Sequence, residues 1–115
     1  MLTQNEYLAF GAHPELRRLA TLRDSGPWVW LPTARNGEVV ELHGVRTWTG
    51  GYADAVRVRT ATDAAAVRTD DTGGLLWQRE GGLAEVVDAL LELPPPDAPT
   101  APRLVKGVGP GLWTP

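Results

Sequence analysis

Between residues 28 and 82 the β-forming runs stand too close together for helices to pass between them, and this constrains the fold most. Trp28-Val29-Trp30-Leu31 is aromatic and β-branched and is closed by Pro32. Asn36-Gly37, the strongest short hairpin signal, joins it to Glu38-Val39-Val40-Glu41-Leu42. Val45 to Trp48 extends that run until Gly50-Gly51 interrupts it. Residues 55–60 alternate, with Val56, Val58 and Thr60 on one side and Arg57 and Arg59 on the other. Residues 64–69 and 75–79 make two more strands around the turn Asp70-Asp71-Thr72-Gly73-Gly74. A parallel connection needs about a dozen residues or more, so the sheet is expected to be antiparallel, with about five strands. With Thr62-Asp63 as a two-residue turn, Val58 falls opposite Val67 and Arg57 opposite Arg68, which gathers the arginines on one face.

Helices are expected on both sides of this block. Thr3 and Glu6 match a capping box, Leu2 and Tyr7 a hydrophobic staple, and Gly11 a C-terminal stop. A second helix starts at Pro14 and carries Leu16, Leu19, Ala20 and Leu22 as its apolar stripe until Ser25-Gly26-Pro27. In residues 83–93, Leu83, Val86, Val87, Leu90 and Leu91 follow helical spacing, with Glu85, Asp88 and Glu92 outward, and Pro94-Pro95-Pro96 stops the run. Residues 94–115 hold seven prolines and read as an extended or polyproline-like tail. The expected fold class is α+β: N-terminal helices, an antiparallel sheet, one C-terminal amphipathic helix and a Pro-rich extended tail. Residues 1–93 form the single domain, and 94–115 a partly docked tail.

Composition narrows the function classes. At 115 residues one core is expected. The chain has no cysteine, so disulfides and thiolate metal sites are excluded. A net charge of −3 argues against a nucleic-acid binder. The N-terminus has no signal-like pattern and no apolar run reaches the ~18 residues of a membrane span, so the cytoplasm is the expected location and no membrane contact is expected. Arginine outnumbers lysine ten to one, which resembles the coding bias of high-GC bacteria such as actinomycetes.

Four constellations carry chemistry. Arg57, Arg59 and Arg68, with Arg79 nearby, are the candidates for an anionic ligand, because guanidinium forks bind carboxylate or phosphate in pairs of hydrogen bonds. The plainer reading of this group is a solvated face of cross-strand ion pairs. Trp28 and Trp30 share one side of a strand whose other side, Val29 and Leu31, is also apolar. That pattern fits a central strand or one buried by a second subunit. With Leu112 and Trp113 in the tail, the pair forms the candidate protein interface. His43 near Glu41 and Asp54 has the makings of a general base, whereas His13 reads as a helix-start residue. Two histidines 30 residues apart do not make a metal motif, the glycine pairs read as turns, and Ser25, the single serine, has no nucleophile setting; no metal or cofactor is expected. The reading favoured by these residues is a non-enzymatic protein-interaction module, partnered by another protein or by itself. The alternative is a binder or enzyme for a small anionic ligand on the arginine face.

Overall fold

The computed structural model describes residues 17–107. It shows an α+β fold in which helix α1 (Arg17–Asp24) precedes strands β1 (Val29–Arg35), β2 (Glu38–Thr47), β3 (Ala53–Thr60), β4 (Asp63–Thr69) and β5 (Leu75–Gly81), with helix α2 (Leu83–Glu92) last. The sheet is antiparallel throughout, in the order β1-β2-β3-β4-β5, as the short connections require. The expected helix around Thr3 and the segment holding Leu112 and Trp113 lie outside the described residues.

Local chemistry sets each turn. Asn36 and Gly37 both have positive φ, 55° and 81°, as a tight turn between β1 and β2 demands. At the β4–β5 turn, Asp70 Oδ1 accepts from the Thr72 N–H, the Thr72 hydroxyl and the Gly74 N–H. Its carboxyl is held below the ordinary aspartate range, first by the Thr72 hydroxyl and then by the Gly74 N–H. Helix α2 begins at Gly82 without a side-chain cap, and the Leu83 N–H instead donates to Ala61 O in the β3–β4 turn. That bond sets the helix on the sheet.

Both helices cover the same face. Leu19 and Leu22 of α1 and Leu83, Val86, Val87 and Leu90 of α2 pack on Trp30, Leu42, Val56, Val58, Ala64 and Ala66. The helix residues all come from the expected apolar stripes; of the other stripe members, Leu91 is exposed, Ala20 is only half-buried and Leu16 lies outside the described residues. A smaller cluster on the second face, Ala55, Val67 and Leu75 with Val45 against them, is built of sheet residues alone.

Three expectations are corrected. First, β1 does not stop at Pro32 but runs on to Arg35. It is an edge strand, the place in a sheet where proline is tolerated because one side of the strand has no neighbour to bond. For the same reason it is not the central strand that its two apolar sides suggested. Second, Val58 pairs with Ala64, Arg57 with Ala65 and Asp54 with Arg68, with the irregularity at Val58/Thr60 and Thr60 opposite Asp63. Thr62-Asp63 is therefore not the turn. The pairing differs from the expected one by three positions, and an odd shift sends side chains to the opposite face. Third, the start of the tail is not extended. The Ala98 N–H donates to Pro95 O and the Ala101 N–H to Ala98 O, winding residues 95–101 into consecutive turns. Farther on, the Lys106 N–H donates to Leu75 O and the Leu75 N–H to Gly107 O, so the chain returns to the outer edge of β5.

Candidate interaction surface

The register separates the three arginines. Arg68 lies on the helix-covered face with Asp54 opposite it, while Arg57 lies on the second face. Arg68 is 0% exposed. Its Nε donates to Asp54 Oδ1 at 2.6 Å, its Nη2 to Asp54 Oδ2 at 2.9 Å and its Nη1 to Pro94 O at 2.5 Å. Trp48 Nε1 donates to Asp54 Oδ2 at 2.9 Å, and the Arg46 guanidinium lies 3.6 Å over the Trp48 ring. Arg68 is thus a structural clamp between β3, β4 and the chain after α2, and the expectation that it joins Arg57 and Arg59 is corrected. The reason is the three-position change of register.

Arg57 and Arg59 do share the second face, and carboxylates meet them there. Arg59 Nε donates to Glu41 Oε1 at 2.8 Å. Arg57 Nε stands 3.9 Å from the same oxygen, and its Nη2 is 3.8 Å from Asp63. His43 Nε2 is 3.3 Å from Glu41 Oε2. The Arg59 hydrogen bond, with the charges of His43, Arg59 and Arg57, holds the Glu41 carboxyl below the ordinary glutamate range. Two guanidinium groups facing two carboxylates form a balanced ion cluster, not a concentrated positive site. Asp54 is on the other face, so it is no partner for His43. No group of three or more metal-ligating side chains occurs among the described residues.

The tryptophan pair divides. Trp30 is 7% exposed and belongs to the core, resting over Gly44, whose absent side chain leaves room for the ring. Trp28 is half-buried and stacks on Trp30 with ring centres 5.8 Å apart. The apolar residues left uncovered are their strand neighbours: Val29 is 60% exposed and Leu31 38%.

These two begin a longer feature. Every residue from 31 to 40 is exposed. β2 pairs with β3 only over residues 42–47, so residues 38–41 have no β3 partner. They pair with the second half of β1 alone, through an irregularity at Thr33/Ala34. A two-stranded arm therefore extends past the body of the sheet, carrying exposed Val39 and Val40. A two-stranded ribbon without a packed face is marginal in water, and exposed clustered apolar side chains mark contact surfaces. The sequence singled out this strand through Trp28 and Trp30, and of these Trp30 is buried in the core. The available signal was Val39-Val40 directly after the Asn36-Gly37 turn, an apolar pair with nothing placed to cover it.

A cleft of about 650 Å³ lies at the other end of the sheet, where Trp48, Tyr52, Asp70, Asp71, Asp97 and Arg103 contribute to its wall. No helix among the described residues is long and apolar enough to cross a membrane. In comparisons with known proteins, no family model, no curated protein and no solved structure matches this chain.

Proposed function

We propose that the protein is a small protein-interaction module, non-enzymatic and acting in the cytoplasm, that engages its partner through the β1–β2 arm and the adjoining Val29–Leu31 side of β1. One observation carries this reading: the exposed residues 33–40 form a ribbon supported by neither helix nor a third strand, and four apolar side chains stand uncovered on it or beside it. Packing the arm on another protein would bury those side chains and supply the missing third layer. The anionic-ligand alternative is weaker, because Arg68 is committed to Asp54 and Arg57 and Arg59 face Glu41 and Asp63.

The test is site-specific photo-cross-linking in cells, with a photoreactive side chain at Val39 and, as control, at exposed Gln78 of β5. Cross-linking to a polypeptide from position 39, and not from 78, is expected. Equal or absent cross-linking at the two positions refutes the proposal.

A further inference from the structure

We propose that the groove between the end of α1, the base of β1 and β2 and the end of α2 binds a small apolar monocarboxylic acid, with Arg46 holding the carboxylate. The groove lies on the helix-covered face and shares no residue with the β1–β2 arm. It stands independently of the interaction reading above.

Charge carries the argument. Arg46 sits opposite Asp54 on the neighbouring strand. The Asp54 carboxylate is already taken, because both of its oxygens accept from Arg68 and Oδ2 also accepts from Trp48 Nε1. Arg46 and Arg68 bring two positive charges to this end of the sheet, and Asp54 brings one negative charge. Among the described residues no other carboxylate lies within ion-pair distance of either guanidinium. A positive charge is thus left over beside a buried ion pair, where screening is weaker than at the open surface.

The Arg46 guanidinium is held in place. It lies 3.6 Å over the Trp48 ring, and its Nη1 makes one long hydrogen bond, 3.5 Å, to Ser25 O. A Cβ at Gly26 would fall 2.7 Å from Arg46 Cζ, so the bare glycine gives the group its room. Its Nη2 makes no hydrogen bond among the described residues. Two further donors on the groove wall, Arg46 Nε and Trp28 Nε1, are buried and have no acceptor. Buried donors are ordinarily paired. A carboxylate is an acceptor only, so it answers both the charge and the donors.

The rest of the wall is apolar and includes Leu22, Trp28, Leu90, Leu91 and Pro95. Leu91 belongs to the apolar stripe of α2 yet is 39% exposed, so the stripe continues past the core onto this wall. The groove measures about 170 Å³, room for a single ring or a short branched chain. Sites for larger ligands run to roughly 300–1,000 Å³. One spare guanidinium on an apolar wall selects a monoacid over a phosphate or a dicarboxylate, whose second charge would be left against carbon.

Titration calorimetry of the full chain with phenylacetate and with isovalerate tests this. Phenylacetamide and acetate serve as probes that lack the charge and the apolar body respectively. Saturable binding of at least one of the two acids is expected, with the amide and acetate weaker by about tenfold or more. The Trp28 and Trp48 indole N–H signals should move in NMR spectra as the acid is added. Arg46→Gln should weaken binding by about tenfold or more, and Leu91→Ser, at an exposed position, by about threefold or more. Arg59→Gln, on the second face, should leave it unchanged. Circular dichroism checks that each variant is folded, and if Arg46→Gln is not, Leu91→Ser and the amide decide. Failure of both acids to bind by about 10 mM overturns the inference. So does equal binding of the amide, binding that survives both groove substitutions, or binding lost with Arg59→Gln.

Discussion

Removing the Asp54 carboxylate should unfold a large part of this protein's stability margin, and the geometry fixes the size of the effect. The Arg68 side chain is 1% exposed and that of Asp54 5%, and two hydrogen bonds of 2.6 and 2.9 Å join them. Asp54→Ala leaves a guanidinium with no anion and no path to water, which costs about 3–5 kcal/mol. Arg68→Met leaves the carboxylate buried with only Trp48 Nε1 as donor and should cost a similar amount. If the two were independent, the double variant would lose about 6–10 kcal/mol. They are one unit, so it should lose only about 2–4 kcal/mol, chiefly for the unpaired Trp48 N–H and Pro94 carbonyl that remain. Urea unfolding followed by tryptophan fluorescence measures all four corners of this cycle. Each single variant should also melt at least about 12 °C lower, at about 4–8 °C per kcal/mol for a domain of this size. The reasoning fails if either single substitution costs less than about 1 kcal/mol, or if the two costs add.

Three further outcomes follow from the packing and the charges. Gly44→Ala places a Cβ 2.6 Å from the Trp30 ring, so the indole must shift, and thermal melting should show a loss of about 1–3 kcal/mol. Leu83→Ala, at a position that is 0% exposed under the first turn of α2, should cost about 2–5 kcal/mol in the same assay. Glu41, Asp70 and Glu85 have folded-state values below their ordinary ones, held by Arg59, by Thr72 and Gly74, and by Arg79 respectively. Their contribution is therefore complete above the ordinary carboxylate range and is lost as pH falls through the lowered values. The urea midpoint should drop between about pH 5 and about pH 2, and Glu41→Gln should flatten that dependence.

The arrangement explains why an arginine-rich strand pair does not form an anion site. Arg57 and Arg68 are separated by 11 positions, and whether they share a face depends entirely on the β3–β4 register. The register read from the sequence matched Val58 with Val67, whereas the structure matches Val56 with Ala66 and buries Asp54 against Arg68. Apolar alternation alone does not choose between them, because Val67 and the alanines beside it suit either face. The choice falls to the buried ion pair, whose two partners must be opposite each other to be satisfied at all.

What the sequence determined by itself was what neighbouring residues decide among themselves. Turn chemistry at Asn36-Gly37 and at Asp70 set the hairpins, helical spacing in residues 83–93 set α2, and short connections set an antiparallel sheet. These follow from φ, ψ and side-chain periodicity, which act over a few residues. Only the tertiary structure decided that β1 is an edge strand, that Trp30 faces the core while Val29 and Leu31 do not, and that Arg68 clamps the chain at Pro94. Those facts depend on which distant segments cover which face, and burial is a property of the assembled layers that no stretch of chain carries on its own.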